Sequence, residues 1–129
     1  MASIKFNKHK VQWSYMPWQA LDEIAKVFTW AAACKYPPRN YQIGFPWSAP
    51  FDACIRHGKA WFENRCELDE ESGLYTLAHM GCSLLMLFDN YLAGVGQDDR
   101  PVPREKQVTI PDAKTLAQAI EDYEAIKKK

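Results

Sequence analysis

The stretch DEESGLYTLAHMGCSLLMLFDNYL, residues 69–92, has the clearest helical pattern in this 129-residue chain. Apolar side chains recur in it at spacings of three and four residues, as they do on one side of an α-helix. They are Leu74, Leu77, Ala78, Gly81, Leu84, Leu85, Phe88 and Leu92. The pattern predicts a helix that begins near Asp69 and is ended by the turn-forming segment Gly94-Val-Gly96.

The sequence on either side predicts three further helices. The first begins at Pro17, a residue suited to the first turn of a helix, and ends near Lys35 because two prolines follow. The second starts after Ser48, as its N-cap, and runs to about Asn64. The last starts at Thr109-Ile-Pro-Asp112, which has the form of a capping box.

These elements predict an all-α chain that forms a single domain over residues 1–129, arranged as a four-helix bundle. Residues 1–16 are expected to form an extended basic arm, and residues 94–110 a polar connector. The chain holds five Trp, six Tyr and six Phe, which four short helices would leave partly exposed in a monomer. We therefore expect a homo-oligomer, a dimer or tetramer, to complete the bundle.

Composition excludes several function classes. Sixteen acids balance sixteen Lys and Arg, so no overall field favours nucleic acid or an anionic membrane. The longest apolar run, Leu84–Phe88, is too short to cross a bilayer, and the N-terminus lacks the apolar run of a signal peptide. The four cysteines form no CxxC, which indicates reduced, buried thiols and a cytoplasmic location.

A run of acids at 67–71 is the first candidate for chemistry. In Glu67-Leu-Asp-Glu-Glu-Ser72 the acids either cap a helix as solvated charges or bind a hard cation such as Mg²⁺ or Mn²⁺. His79 lies on a polar face of the predicted helix, where it is either a hydrogen-bonded core residue or a ligand. His57, 22 residues earlier, could converge with it on one cation across the bundle.

Residues before the second helix are candidates for binding an anionic substrate. Glu23 and Lys35 either form a solvated face of the first helix or lie at a site, where Lys35 and Arg56 would bind phosphate. Residues 36–50 form a long loop with four prolines and four aromatics, and loops of that length are often functional. Its Trp47 is either a core or interface residue, as most of the tryptophans are expected to be, or a residue that stacks on a base.

An ordered series of fragments resembles a known family over about residues 5–92. The family is the phage dATP/dGTP diphosphohydrolases, called MazZ-type, within the MazG-like all-α nucleotide pyrophosphatases. The fragments are Pro17-x-x-Ala-Leu-x-Glu23-Ile-Ala-x-Val27, Lys35-Tyr36, Asn40-Tyr41-x-x-Gly44, Arg56-His57, Asp69-x-Glu71-Ser72-Gly73-Leu74 and His79.

The resemblance implies a MazG-like fold that cleaves a purine deoxynucleoside triphosphate, dGTP or dATP, to monophosphate and pyrophosphate in the host cytoplasm of a phage. It implies that water attacks the α-phosphorus while Mg²⁺ or Mn²⁺ ions bridge the phosphates. We assign Glu71 and His79 as catalytic. The expected metal ligands are His57, Glu67, Glu71 and His79, with Glu23, Asp69 and Glu70 as a second tier. Lys35, Asn40, Arg56 and Trp47 are assigned to the substrate.

The chain departs from the family pattern at several positions. Tyr75 and Ser83 stand where the family has His and Asn, and the ExxE of Glu67-x-x-Glu70 is followed by no ExxD. These departures leave open a non-catalytic helical interaction protein, whose acids cap helices and whose histidines lie in the core. A phosphohydrolase of the HD type is a second alternative, although the chain has no His-Asp dipeptide.

Overall fold

The computed structural model describes residues 9–101 and 109–128 and contains four α-helices within them. The helices are α1 (Trp18–Cys34), α2 (Ser48–Asn64), α3 (Thr76–Ala93) and α4 (Leu116–Lys127). Two short 3-10 turns, Trp13–Tyr15 and Asn40–Ile43, precede α1 and α2, and no strand occurs in the described ranges. The predicted all-α class is confirmed. Predictions that concern residues 1–8 and 102–108 lie outside the described residues.

Helices α1 and α2 both pack against α3, and all three helices belong to one compact unit that begins at Pro17. Ile24 near the start of α1 lies against Gly81, while Lys35 just after α1 pairs with Glu71 before α3. Likewise Gly58 on α2 lies against Met80. The 13 residues between α1 and α2 must therefore run back along the bundle, which explains the length of the predicted loop.

A fully buried asparagine fixes this connection to α3. The Asn90 side chain accepts a hydrogen bond from the Phe45 amide and donates one to the Tyr41 carbonyl, both at 3.0 Å. Asn90 is 0% exposed, so these bonds satisfy amide atoms that cannot reach water. The polar face predicted on α3 is thus buried at this point and serves to shape the loop.

The start of α2 is tied to the segment after α3. Trp47 donates its amide to the Gln97 carbonyl at 2.8 Å, and Gln97 donates to the Phe45 carbonyl at 3.0 Å. The Asp99 carboxylate accepts the amide of Ser48 at 2.9 Å and also its hydroxyl. The prediction that Ser48 caps α2 is therefore wrong, because Ser48 is the first helical residue and Asp99 satisfies its amide.

The third helix begins seven residues later than predicted, at Thr76. Asp69 does not open the helix, because its carboxylate accepts the amides of Glu71 and Ser72 and bends the chain into a turn. A bridge between Leu68 and Tyr75 then closes residues 68–75 into a loop. The short polar side chain competes with the helix for backbone amides, which hydrophobic periodicity does not detect.

The last helix also begins later than predicted. The proposed cap at Thr109-Ile-Pro-Asp112 is wrong, since the Thr115 hydroxyl caps α4 by accepting the Gln118 amide at 3.1 Å. The expected extended arm contains a 3-10 turn at Trp13–Tyr15. Among the described residues, 9–16 and 111–128 are grouped as a second compact unit, to which α4 belongs.

The thiols and the helix lengths bear on two further expectations. Cys54 and Cys82 are buried as predicted, whereas Cys34 is exposed and Cys66 partly so; all four are free. Burial raises the pKa of the Cys82 thiol to about 11, so it is unreactive at neutral pH. Within residues 9–101 and 109–128, none of the helices is both long and apolar enough to cross a membrane.

Candidate active site

A hydrogen-bonded corner at the start of α3 orients a buried histidine. The turn at Asp69 places the Ser72 hydroxyl 2.7 Å from His79 Nε2, and the Leu74 amide donates to the same hydroxyl oxygen at 3.1 Å. Asp69 Oδ2 lies 3.6 Å from His79 Nε2, close enough for electrostatic attraction. Because His79 is 8% exposed, these partners fix the orientation of its imidazole.

A second histidine and a tryptophan pack around the His79 ring. The ring centroid of His57, from α2, lies 5.0 Å from that of His79, and the centroid of Trp30, from α1, lies 5.7 Å from it. Burial is the largest cause and lowers the pKa of both histidines below their ordinary value, although the Asp69 carboxylate acts in the opposite direction on each. Both imidazoles are therefore neutral at pH 7 and able to accept a proton or a cation.

The loop carboxylates differ in their partners. Burial alone would raise the pKa of Asp69, but the amide of Ser72 and the neighbouring His79 more than offset it and lower that pKa. Glu71 extends outward and pairs with Lys35, whose Nζ lies 2.9 Å from Glu71 Oε1. This bond to Glu71 raises the pKa of Lys35, so the ammonium is charged at neutral pH.

The structure thus gathers five of the sequence candidates at one end of the bundle. We call this set the polar cluster; it comprises Lys35, His57, Asp69, Glu71 and His79. Arg56 lies beside it in sequence and is exposed. Lys35 and Glu71 are 36 residues apart along the chain, so local spacing in the sequence does not predict their contact.

Three further candidates are placed differently. Glu23 forms an ion pair with Lys26 on its own helix, with 2.9 Å between Glu23 Oε1 and Lys26 Nζ. Glu67 and Glu70 are exposed, and no carboxylate contact from either occurs in the described part of the chain. Their assignment as metal ligands stays a prediction.

The polar cluster offers carboxylate and imidazole donors but does not form a finished metal site by itself. Among residues 9–101 and 109–128, no three His, Cys, Asp or Glu side chains are arranged to hold one ion. Mg²⁺ is commonly bound through one or two carboxylates together with waters and substrate phosphates. Asp69 and Glu71, two residues apart on one loop, fit that kind of shared coordination.

An apolar cavity of about 800 Å³ opens between α1, α2 and the loop that joins them. Most of its wall consists of small or aromatic side chains, and α3 contributes the floor. Its lining includes Ala32, Tyr36, Arg39, Asn40, Ala53 and Cys82. A volume in this range is typical of sites for small organic ligands.

The two remaining residues that were assigned to the substrate, Asn40 and Trp47, differ in their position relative to this cavity. Asn40 lines it, whereas Trp47 does not. Trp47 is 6% exposed, donates its Nε1–H to the Val95 carbonyl at 2.9 Å and packs against Tyr91. The structure thus places Trp47 in the frame behind the loop, away from the cavity surface.

Sequence reasoning passed over two contributors to this region. Trp30 was not predicted because it lies outside the apolar stripe of α1. Arg39 was not predicted because an isolated arginine in a proline-rich loop is part of no motif. The cavity itself was hidden as well. Alanines and Phe28 at helical spacing indicate a core stripe, yet here several of them face open space.

One comparison with known protein families gives a match. A family model described as dATP/dGTP diphosphohydrolase, N-terminal, matches residues 2–100. The match covers α1, α2, α3 and the loops that form the polar cluster and the cavity; α4 lies beyond it. No curated protein and no solved structure matches the chain.

Proposed function

We propose that this chain, which belongs to the dATP/dGTP diphosphohydrolase family, hydrolyses purine deoxynucleoside triphosphates to monophosphate and pyrophosphate. The observation that carries the proposal is that the two parts of the site are built on neighbouring positions of the same helices. The polar cluster, with its ammonium, carboxylates and neutral imidazoles, adjoins an apolar cavity large enough for a nucleoside. A nucleotide needs both surroundings, one for its phosphates and one for its base.

The adjacency follows from helical geometry. Ala53 lines the cavity, and His57 lies one turn further along the same side of α2. On α3, Cys82 lines the cavity and His79 precedes it by three residues. Tyr36, the residue directly after Lys35, lines the cavity. A nucleoside in the cavity therefore directs its phosphates toward the polar cluster.

The Lys35–Glu71 pair is suited to exchange partners when substrate binds. Its Nζ–Oε1 distance is 2.9 Å, and the Glu71 side chain is 61% exposed, so little burial holds the two together. Lys35 would then bind a phosphate oxygen as a point charge, and Glu71 would be released to a cation. In the free protein, Glu71 thus takes the place of the phosphate beside Lys35, and Lys35 takes the place of the cation beside Glu71.

A divalent cation, Mg²⁺ or Mn²⁺, would be held by Asp69 and Glu71 together with the phosphates; when bound it neutralises charge on the phosphates. The chain's own residues supply the remaining functions. Ser72 holds the His79 imidazole in one orientation, and neutral His57 and His79 can take up a proton at a ring nitrogen. Lys35 stabilises negative charge that develops during cleavage.

We further propose that the enzyme is a homo-oligomer. Large apolar side chains lie exposed on the outer sides of α2 and α3: Phe51, Ile55, Phe62, Leu84, Phe88 and Leu92. These residues are between 42% and 78% exposed and recur at helical spacing, so each helix presents an apolar stripe of the kind that an interface would cover. A monomeric mass in light scattering at micromolar concentration would contradict the oligomer.

Product analysis tests the catalytic proposal directly. The full chain is incubated with a panel of NTPs and dNTPs in Mn²⁺, and products are separated by ion-exchange chromatography. We expect monophosphate and pyrophosphate from dGTP or dATP, with the reaction abolished by excess EDTA. Sequential release of orthophosphate would contradict the reaction class. An intact substrate under all conditions would instead favour the non-catalytic interaction protein.

A further inference from the structure

Arg39 has an unusual position in the cavity wall. Among the described residues that line the cavity it is the one charged side chain, and its surroundings are largely alanine, proline and aromatic. Arg39 forms no ion pair within residues 9–101 and 109–128. A guanidinium carries five N–H donors and no acceptor, so a ligand in the cavity meets a donor-only group there.

The backbone holds Arg39 in a conformation that arginine seldom adopts. Its φ is +61°, and the Asn40 amide donates to the Pro37 carbonyl at 3.1 Å, so Pro38 and Arg39 are the central residues of a turn. Glycine or asparagine is usual at a central position with positive φ, since other residues pay a steric cost there. The turn nevertheless presents an arginine to the cavity.

The loop carries Arg39 away from the polar cluster. Lys35 of that cluster lies four residues before Arg39. Tyr41, two residues after Arg39, is bonded through its carbonyl to Asn90, which lies 11 residues beyond His79 on α3, a rise of about 16 Å along the helix. The loop thus runs from the polar cluster toward the far end of α3, and with the phosphates at Lys35 the base would lie on the Arg39 side.

We propose that Arg39 determines specificity by selecting guanine over adenine, an inference that rests on the proposed function. Guanine presents two acceptors, O6 and N7, that match two arginine N–H groups, whereas adenine presents an amino donor at the position of O6. Asn40 and the tyrosine hydroxyls of the wall both donate and accept, so they do not discriminate in this way. The preference for guanine over adenine therefore comes from Arg39, which can only donate hydrogen bonds.

Four triphosphates test which edge of the base is recognised. dGTP and dITP share O6 and N7, while dATP and the 2,6-diaminopurine analogue share a 6-amino group. We expect kcat/KM for dGTP and dITP to exceed that for the two 6-amino substrates by about tenfold or more, the scale of one bidentate contact. A preference that follows the 2-amino group, with dITP grouped beside dATP, would overturn the proposal.

Arg39→Gln should reduce this ratio toward unity, with the loss confined to dGTP and dITP. Arg65→Gln is the matched control, because Arg65 also has a positive φ, 51°, but lies at the end of α2 and outside the cavity lining. Equal losses on all four substrates would assign Arg39 to phosphate and overturn the proposal, as would no change.

Calorimetric binding of dGMP and dAMP tests the same preference without turnover. Wild-type protein should bind dGMP at least about tenfold more tightly, and Arg39→Gln should remove that difference. Absence of hydrolysis by the wild type with a dGMP preference that depends on Arg39 would refute the proposed function alone. Hydrolysis with no such preference would refute the role of Arg39 alone.

Discussion

The polar cluster and the cavity lie side by side on the same three helices, yet they are built on different principles. In the cluster four of the five side chains have a charged or hydrogen-bonding partner: Lys35 pairs with Glu71, His79 bonds to Ser72, and Asp69 accepts two loop amides. In the cavity wall most side chains have none, and the backbone of the loop is held from behind by Asn90. Changes in the cluster should therefore alter the reaction with every substrate, whereas changes in the cavity should alter which substrate is accepted.

The largest expected effect is at Glu71. Glu71→Gln keeps the shape of the side chain but removes the charge that pairs with Lys35 and would hold a cation. We expect kcat to fall at least ~100-fold, the scale of losing one important electrostatic group. The loss should be equal for dGTP and dATP, with an unchanged thermal midpoint.

Glu63→Gln is the control, since Glu63 is exposed, of the same type, and lies on α2 outside both the polar cluster and the cavity lining. Its kcat should match that of the wild type. If Glu71→Gln is fully active, Glu71 is not part of the site; if both variants lose activity, the effect is not specific to Glu71.

Asn90→Ala should weaken the frame of the cavity. It leaves the Phe45 amide and the Tyr41 carbonyl without their buried partner, which should reduce the free energy of unfolding by about 2 kcal/mol. Asp89→Ala, an exposed neighbour, should change it by less than ~0.5 kcal/mol. Urea unfolding followed by circular dichroism measures both, and equal stability of the two variants would show that Asn90 does not fix the loop.

Filling the cavity should act on binding. Ala32 lines the cavity whereas its neighbour Ala33 is exposed and does not, so Ala32→Leu and Ala33→Leu form a matched pair. We expect Ala32→Leu to raise KM about tenfold, since overpacking of about 1–3 kcal/mol would oppose the ligand. Its kcat should change little. A normal KM in both variants would place the nucleoside elsewhere.

The smallest expected effect is a dependence of stability on pH. The pKa of His57 is lowered from 6.5 by burial, so the unfolded chain binds more protons than the folded chain as pH falls through about 6.5. Stability should therefore be greater at pH 8 than at pH 5.5. The pKa of Asp69 is lowered from 3.8, so loss of its contribution begins only at more acidic pH.

His57→Asn should reduce that difference, and His9→Asn is the control because His9 belongs to the other compact unit. Thermal midpoints at pH 5.5 and 8 measure it. An identical pH dependence in wild type and His57→Asn would show that His57 is not buried as a neutral imidazole.

Sequence pattern was sufficient for the elements whose own side chains determine them. The bounds of α1 were predicted within a residue, because prolines flank it, and the end of α3 because Gly94 follows it. The beginning of α3 was not, because a single carboxylate, Asp69, diverts two amides into a turn. Helical periodicity describes which side chains share a face and carries no information on such local competition.

The candidate site was predicted in part for a similar reason. Residue type identified His79, His57 and Glu71 as capable of chemistry, and the structure gathers them. Their partners come from distant positions, such as Lys35, or from the turn, such as Ser72. The cavity could not be predicted, because an alanine that faces empty space and an alanine that packs against a neighbour give the same sequence pattern.

The two bonds from Asn90 have a consequence for which substitutions this part of the protein should tolerate. Both bonds go to backbone atoms, of Tyr41 and Phe45, so the side chains at those positions can change without breaking them, whereas one substitution at Asn90 removes both bonds. The stretch from Tyr36 to Arg39 has no hydrogen bond to α3 among the described residues. We therefore expect position 90 to tolerate fewer substitutions than the loop positions 36–45 that it supports.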